Sequence, residues 1–239
     1  MIITESGMNS NSVYIAQRDS TVPSALFTPK VWTQTGPHCQ ALTSAQMMTY
    51  LYRIINRDST LRLSPNPLLF HNAKNMNTTK EILQDRNRGL EAMDDDQPLT
   101  WDVSSFAYSS NTRYTLDNLV NHVDNESIIQ LLKHNFGPGG NAFPILAVCK
   151  PLGILKNSNV ARWTRKDLPF RMSDYDTPVT EETHAVVITG FYTMKDHPRP
   201  LDHSIEIKCN WGPTWGTNGF AWVTAEAFTM VAEPIIITE

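Results

Sequence analysis

The chain has 239 residues, enough for one large domain or two small lobes sharing an interface. A formal net charge of -4 and a pI near 6.0 give no basic field of the kind nucleic-acid binding requires, so no nucleic-acid partner is expected. No apolar run approaches the ~20 residues that cross a bilayer as a helix, so no membrane partner is expected either.

The three cysteines are Cys39, Cys149 and Cys209. Their odd, small number does not suit a disulfide scaffold. Without CxxC spacing or an HExxH run, the chain also offers no support for a metal site, and no cofactor is implied. Residues 1–31 are polar with scattered apolar positions and two prolines, which predicts an extended N-terminal segment lying across the domain. Residues 1–20 lack a basic stretch followed by an apolar core. The expectation is therefore a cytoplasmic protein, or one exported by a route that reads no such signal.

Gln34-Thr35-Gly36-Pro37-His38-Cys39 then brings a Gly-Pro break to the head of a helical pattern. From Ala41 the apolar positions 41, 45, 48, 51, 52 and 55 recur at three- and four-residue steps, which predicts an amphipathic helix. A thiol in its first turn lies at the positive end of the backbone dipole, where the nucleophilic thiolate is favoured. Residues 63–74 open with a Ser-Pro start signal and predict a short helix, and 78–86 predict another that ends near Gly89. Residues 92–125, rich in Asp, Ser and Asn, are expected to be loops. Residues 126–135 form a helix by their apolar positions 128, 129, 131 and 132, and Gly137-Pro138-Gly139-Gly140 breaks it. A buried strand is expected at 143–148, followed by a long connection over 150–183. His184 opens a run of β-branched and apolar residues that predicts a buried strand. Ile205-Glu206-Ile207-Lys208 alternates as a strand into Cys209-Asn210-Trp211-Gly212-Pro213-Thr214-Trp215-Gly216-Thr217-Asn218-Gly219-Phe220.

A cysteine at a helix start, then a strand-opening histidine, then a W-G-x-x-W-G-x-x-G-F segment: in this order the chain resembles the papain family of cysteine peptidases. The resemblance runs from Trp32 to the C-terminus, and the short helices after the Cys39 helix are similar to those of bacterial members. It implies an α+β, papain-like fold. A helical lobe at about 32–135 would pack on an antiparallel β-barrel-like lobe at about 136–239, with the active-site cleft between them. It also implies a thiol protease, a hydrolase acting on protein or peptide substrates. In that mechanism Cys39 attacks a carbonyl to give a thioester, and His184, as the imidazolium, protonates the leaving group. Gln34 and the Cys39 backbone N–H would form the oxyanion hole. Asn210 would hold the tautomer of His184. Trp211 would shield that contact, and Trp215 and His38 would wall the cleft, with Gly212, Gly216 and Gly219 turning the backbone beneath the rings.

The chain departs from the family pattern at several points. Gln34 and Cys39 are five residues apart, one fewer than in the family. A second cysteine, used for a disulfide by secreted members, is replaced by Gly36, which suits a reducing compartment. The family's Asn-Gly-Gly substrate-pairing segment is absent. Counting back from Trp211, the family's asparagine position holds Cys209, and Asn210 stands one residue late. Strict strand register would put Cys209 beside His184, whereas a bulge before Trp211 would turn Asn210 inward, so both stay open as the orienting residue. Residues 1–31 are too few for the family's inhibitory pro-segment, so control is expected from a separate inhibitor or regulator. Two rival functions share these residues. One is amidase, deamidase or acyltransferase chemistry through the same thioester; the other is a catalytically silent, peptide-binding module.

Overall fold

The computed structural model describes residues 13–15, 32–34, 36–94, 106–109, 111–122, 125–137, 140–141, 143–150, 183–192 and 203–235. Most of the expected N-terminal segment and nearly all of the 150–183 connection lie outside them.

Among the described residues four α-helices and seven strands follow in chain order: β1 (Val13–Ile15), α1 (Cys39–Asn56), α2 (Asn66–Phe70), α3 (Met76–Gln84), β2 (Asn118–His122), α4 (Asn125–Phe136), β3 (Ile145–Cys149), β4 (His184–Tyr192), β5 (Ser204–Lys208), β6 (Phe220–Thr224) and β7 (Phe228–Ile235). Among the described residues every strand pairing is antiparallel, and the order across the sheet is β2-β7-β3-β4-β5-β6. This is the α+β arrangement, with helices packed on an antiparallel sheet. Among the described residues the sheet is an open path between the edges β2 and β6. The N-terminal segment joins it where β3 stops: β3 pairs with His184 to Ile188 of β4, and β1 with Gly190 to Tyr192.

Alternation along the strands feeds two cores, because successive side chains point to opposite faces. Ile145, Ala147, Cys149, Val186, Ile188 and Val231 point into one core, which α4 covers with Ile128, Ile129, Leu132 and Phe136. Leu146, Val187 and Ala232 point into the other, which α1 covers with Ala41, Leu42, Ala45, Met48 and Leu51. Burying one such leucine or methionine is worth about 2 kcal/mol.

Helix α1 departs from the amphipathic expectation. Its polar residues Gln40, Thr43, Ser44, Gln46 and Thr49 are also buried, so α1 is a central helix enclosed on every side over its first three turns. Ser44 and Thr49 make this tolerable by donating to the carbonyls of Gln40 and Ala45 four residues back. The helix stops at Arg57 in the left-handed region, φ 52°. α3 starts where Asn75 accepts from the Thr78 N–H at 2.9 Å.

The expected loops at 92–125 contain a strand. β2 pairs with β7 along its whole length, from Asn118 opposite Ile235 to His122 opposite Val231. Its burial does not alternate cleanly, since it is an edge strand whose support comes from one partner. The sheet therefore draws on chain on both sides of the lobe boundary expected near 135.

Candidate active site

Cys39 is the first residue of α1, and its side chain is half-exposed. No acidic residue occupies the first turn, and the residue before it, His38, caps without a side-chain hydrogen bond. The positive end of the helix is therefore left uncompensated around the thiol. Cys149 and Cys209 are free and completely buried. Burial pushes both of their thiols well above the usual range. Cys39 is thus the one cysteine of the three with an open path to a ligand.

His184 is the first residue of β4, opposite Cys149 of β3. It is 6% exposed and stacks on Trp211, with ring centroids 4.1 Å apart and planes inclined by 18°. Trp215 meets Trp211 edge-on at 5.2 Å. The loop holding these rings needs its glycines. Gly212 and Gly216 have φ of 96° and 57°, and a Cβ on Gly216 would lie 2.0 Å from the Phe220 carbonyl oxygen. Trp215 itself is buried, at 6% exposure, inside the core beneath α4. It meets Trp211 from the core side.

Four hydrogen bonds tie this loop and strand to the start of α1 and the chain leading into it. Thr43 Oγ1 donates to the Ala185 carbonyl at 2.9 Å, joining the first turns of α1 to the residue after His184. The Gln34 backbone N–H donates to the Asn210 carbonyl at 2.8 Å, beside a single antiparallel bridge between Thr33 and Trp211. The Asn210 amide, Nδ2, donates to the Cys39 carbonyl and to Thr43 Oγ1, at 3.4 Å each. Residues 34, 39, 184, 210 and 211 are therefore gathered into one neighbourhood from three distant stretches of chain.

The side chain of Asn210 does not take the expected direction. β5 pairs with β4 so that Lys208 faces Val187. Beyond Lys208 this pairing ends and the chain bends at Asn210, whose amide reaches α1 while Trp211 stacks on His184. Cys209 packs with Val186, Ile188 and Cys149 in the core beneath α4. The Asn210 amide thus serves the helix, and its Oδ1 is buried with no hydrogen-bond partner among the described residues.

Gln34 is half-buried, and its carboxamide N–H donates to the Gly36 carbonyl two residues on. The donor expected to line an oxyanion hole is therefore closed onto its own loop. His38 is half-exposed and folds over that loop; a Cβ on Gly36 would stand 3.2 Å from its ring. Thr43 was not singled out by apolar periodicity. Its signal was its place four residues after Cys39, on the same helix face, where an uncharged hydroxyl can reach whatever the thiol faces.

Neither protein-family models nor curated protein sequences give a match to the chain. Solved structures do. One comes from work on antibody cross-reactivity between the mite allergens Blo t 1 and Der p 1, at 16% identity and a TM-score of 0.56, covering 87% of this chain and 67% of that one. The Amb a 11 cysteine protease, a major ragweed pollen allergen in its proform, matches at 17% identity with a TM-score of 0.54, over 89% and 63% of the two chains. A digestive procathepsin L2 proteinase from the larval midgut of Tenebrio molitor matches at 14% and 0.58, over 88% and 65%. The chain spans about two thirds of the length of these proteins. Its fold is that of the papain-like cysteine proteases.

Proposed function

We propose that the protein is a cysteine peptidase. Cys39 is the nucleophile and His184 its proton partner, and a peptide bond is cleaved through a thioester that water then hydrolyses. The observation that carries this reading is the pairing of an accessible thiol at an uncompensated helix start with a histidine under a tryptophan, on elements tied by the Thr43–Ala185 bond. Trp211 keeps water from one face of the imidazole, which strengthens any charge interaction that the ring makes. The Cys39 backbone N–H belongs to the unpaired first turn of α1 and suits the developing oxyanion. Gln34 joins it once its carboxamide leaves the Gly36 carbonyl.

The test is labelling by an epoxide electrophile followed by cleavage of a peptide library. Fast modification of Cys39, slowed in His184→Ala, together with peptide-bond cleavage, is the expected result. Release of ammonia or transfer of the acyl group without peptide cleavage would move the activity to an amidase or acyltransferase. A second reading, a silent peptide-binding module, is favoured by Asn210 facing α1 and by the closed Gln34 carboxamide. It predicts slow labelling of Cys39 that His184→Ala leaves unchanged, and no peptide cleavage.

A further inference from the structure

Thr43 has no part in the chemistry above, yet it is 1% exposed and fully used. Its hydroxyl proton goes to the Ala185 carbonyl at 2.9 Å. Its lone pairs remain, and Asn210 Nδ2 approaches them at 3.4 Å while also reaching the Cys39 carbonyl at 3.4 Å. A carbonyl oxygen only accepts, and a hydroxyl that has spent its proton can only accept too. Both neighbours therefore require a donor from position 210, which fixes the orientation of the amide and leaves Oδ1 as the unpaired end. The Asn210 backbone carbonyl meanwhile takes the Gln34 N–H at 2.8 Å. The approach loop, the first turn of α1, the start of β4 and the end of β5 all meet at this pair.

We infer that Thr43 and Asn210 are a positioning pair for the Cys39–His184 reaction. They set the first turn of α1 against the strand that begins with His184, so that thiol and imidazole share a proton, and Asn210 acts on the nucleophile's helix instead of on the imidazole. The inference rests on the peptidase reading. Its force comes from distance sensitivity: a misplacement of ~1 Å between reacting groups costs about 10²-fold in rate. The pair links the start of β4 and the residue beyond β5 to the first two turns of α1.

The experiment measures the rate of Cys39 alkylation by iodoacetamide against pH, by peptide mapping of the full chain, with thermal midpoints taken in parallel. In the wild type a low-pH limb is expected, reporting a thiolate held by an imidazolium, and His184→Ala removes it. Thr43→Val keeps the shape of the side chain and loses the hydroxyl; it is expected to lower the rate at pH 6 about 10-fold and to shift the limb upward. Thr43→Ser returns the hydroxyl and is expected to rescue the profile. Asn210→Asp puts a carboxylate against two acceptors and is expected to fail as Thr43→Val does. Should Thr43→Val not fold, Thr43→Ala removes the same hydroxyl with less bulk and carries the same expectation. A hydroxyl-free variant with a lowered midpoint and an unchanged pH profile would overturn the pair and leave the peptidase reading standing. A wild type without a His184-dependent limb would remove both.

Discussion

The two flanks of the site are built on different principles. On the sheet side, the rings of His184, Trp211 and Trp215 lean on one another, and the loop that carries the tryptophans is shaped by glycines at positive φ. On the helix side there is little such packing around the thiol. Gln34, Asn210 and Thr43 hold backbone carbonyls instead, and two polar oxygens, Gln34 Oε1 and Asn210 Oδ1, are buried with no hydrogen-bond partner among the described residues. Stacked rings and steric turns have one low-energy arrangement. On the helix side Thr43 and Asn210 are fixed by their donors and acceptors, whereas the Gln34 carboxamide keeps a spare buried oxygen, and an unpaired buried oxygen costs about 1–3 kcal/mol. The sheet side is therefore held by packing, and on the helix side the Gln34 carboxamide is the group with an alternative arrangement open to it.

Each of the following substitutions strikes one flank. Cys39→Ala on the helix side is expected to abolish peptide cleavage and electrophile labelling altogether. Its thermal midpoint should stay close to that of the wild type, because the residue is half-exposed at a helix start; residual turnover would end the thioester mechanism. Gly216→Ala on the sheet side drives a Cβ into the Phe220 carbonyl from a left-handed backbone. It should lower unfolding stability by about 3 kcal/mol, read as a smaller urea midpoint at constant slope. An effect under about 1 kcal/mol would show that this loop is far softer than its geometry implies. Trp211→Ala bares one face of His184 and is expected to slow cleavage about 10-fold while KM changes little, since what is lost is shielding of a proton-transfer group. The smallest effect belongs to the buried thiols. Burial raises their pKa, so their thiolate fraction at pH 8 is below that of a free cysteine. Iodoacetamide should leave Cys149 and Cys209 unmodified in the folded protein and reach them only in denaturant.

Much of the fold was legible from local patterns. The helix beginning at Cys39 follows from its apolar spacing, and the strands at His184 and before Trp211 from β-branched runs. The turn after Trp211 follows from glycines whose positive φ the structure confirms. β2 escaped notice because an edge strand with one partner need not alternate, and its neighbours in sequence are polar. The burial of the polar side of α1 escaped notice for a different reason. Thr43 is satisfied by a carbonyl 142 residues away, and nothing within a helical window announces such a partner.

The candidate site divides along the same line. Cys39, His184 and Trp211 were legible because order, a helix start, a strand start and a fixed W-G-x-x-W-G spacing are properties of the chain read from end to end. The direction of Asn210 was not, because it depends on contacts with a helix far away in the chain, and sequence left both Cys209 and Asn210 open. Tertiary contacts decided it: the Asn210 amide donates to the Cys39 carbonyl and to Thr43 of α1, while Trp211 stacks on the histidine. Local chemistry thus determined which groups are available. Tertiary contacts, which join elements far apart in the chain, determined which of them meet.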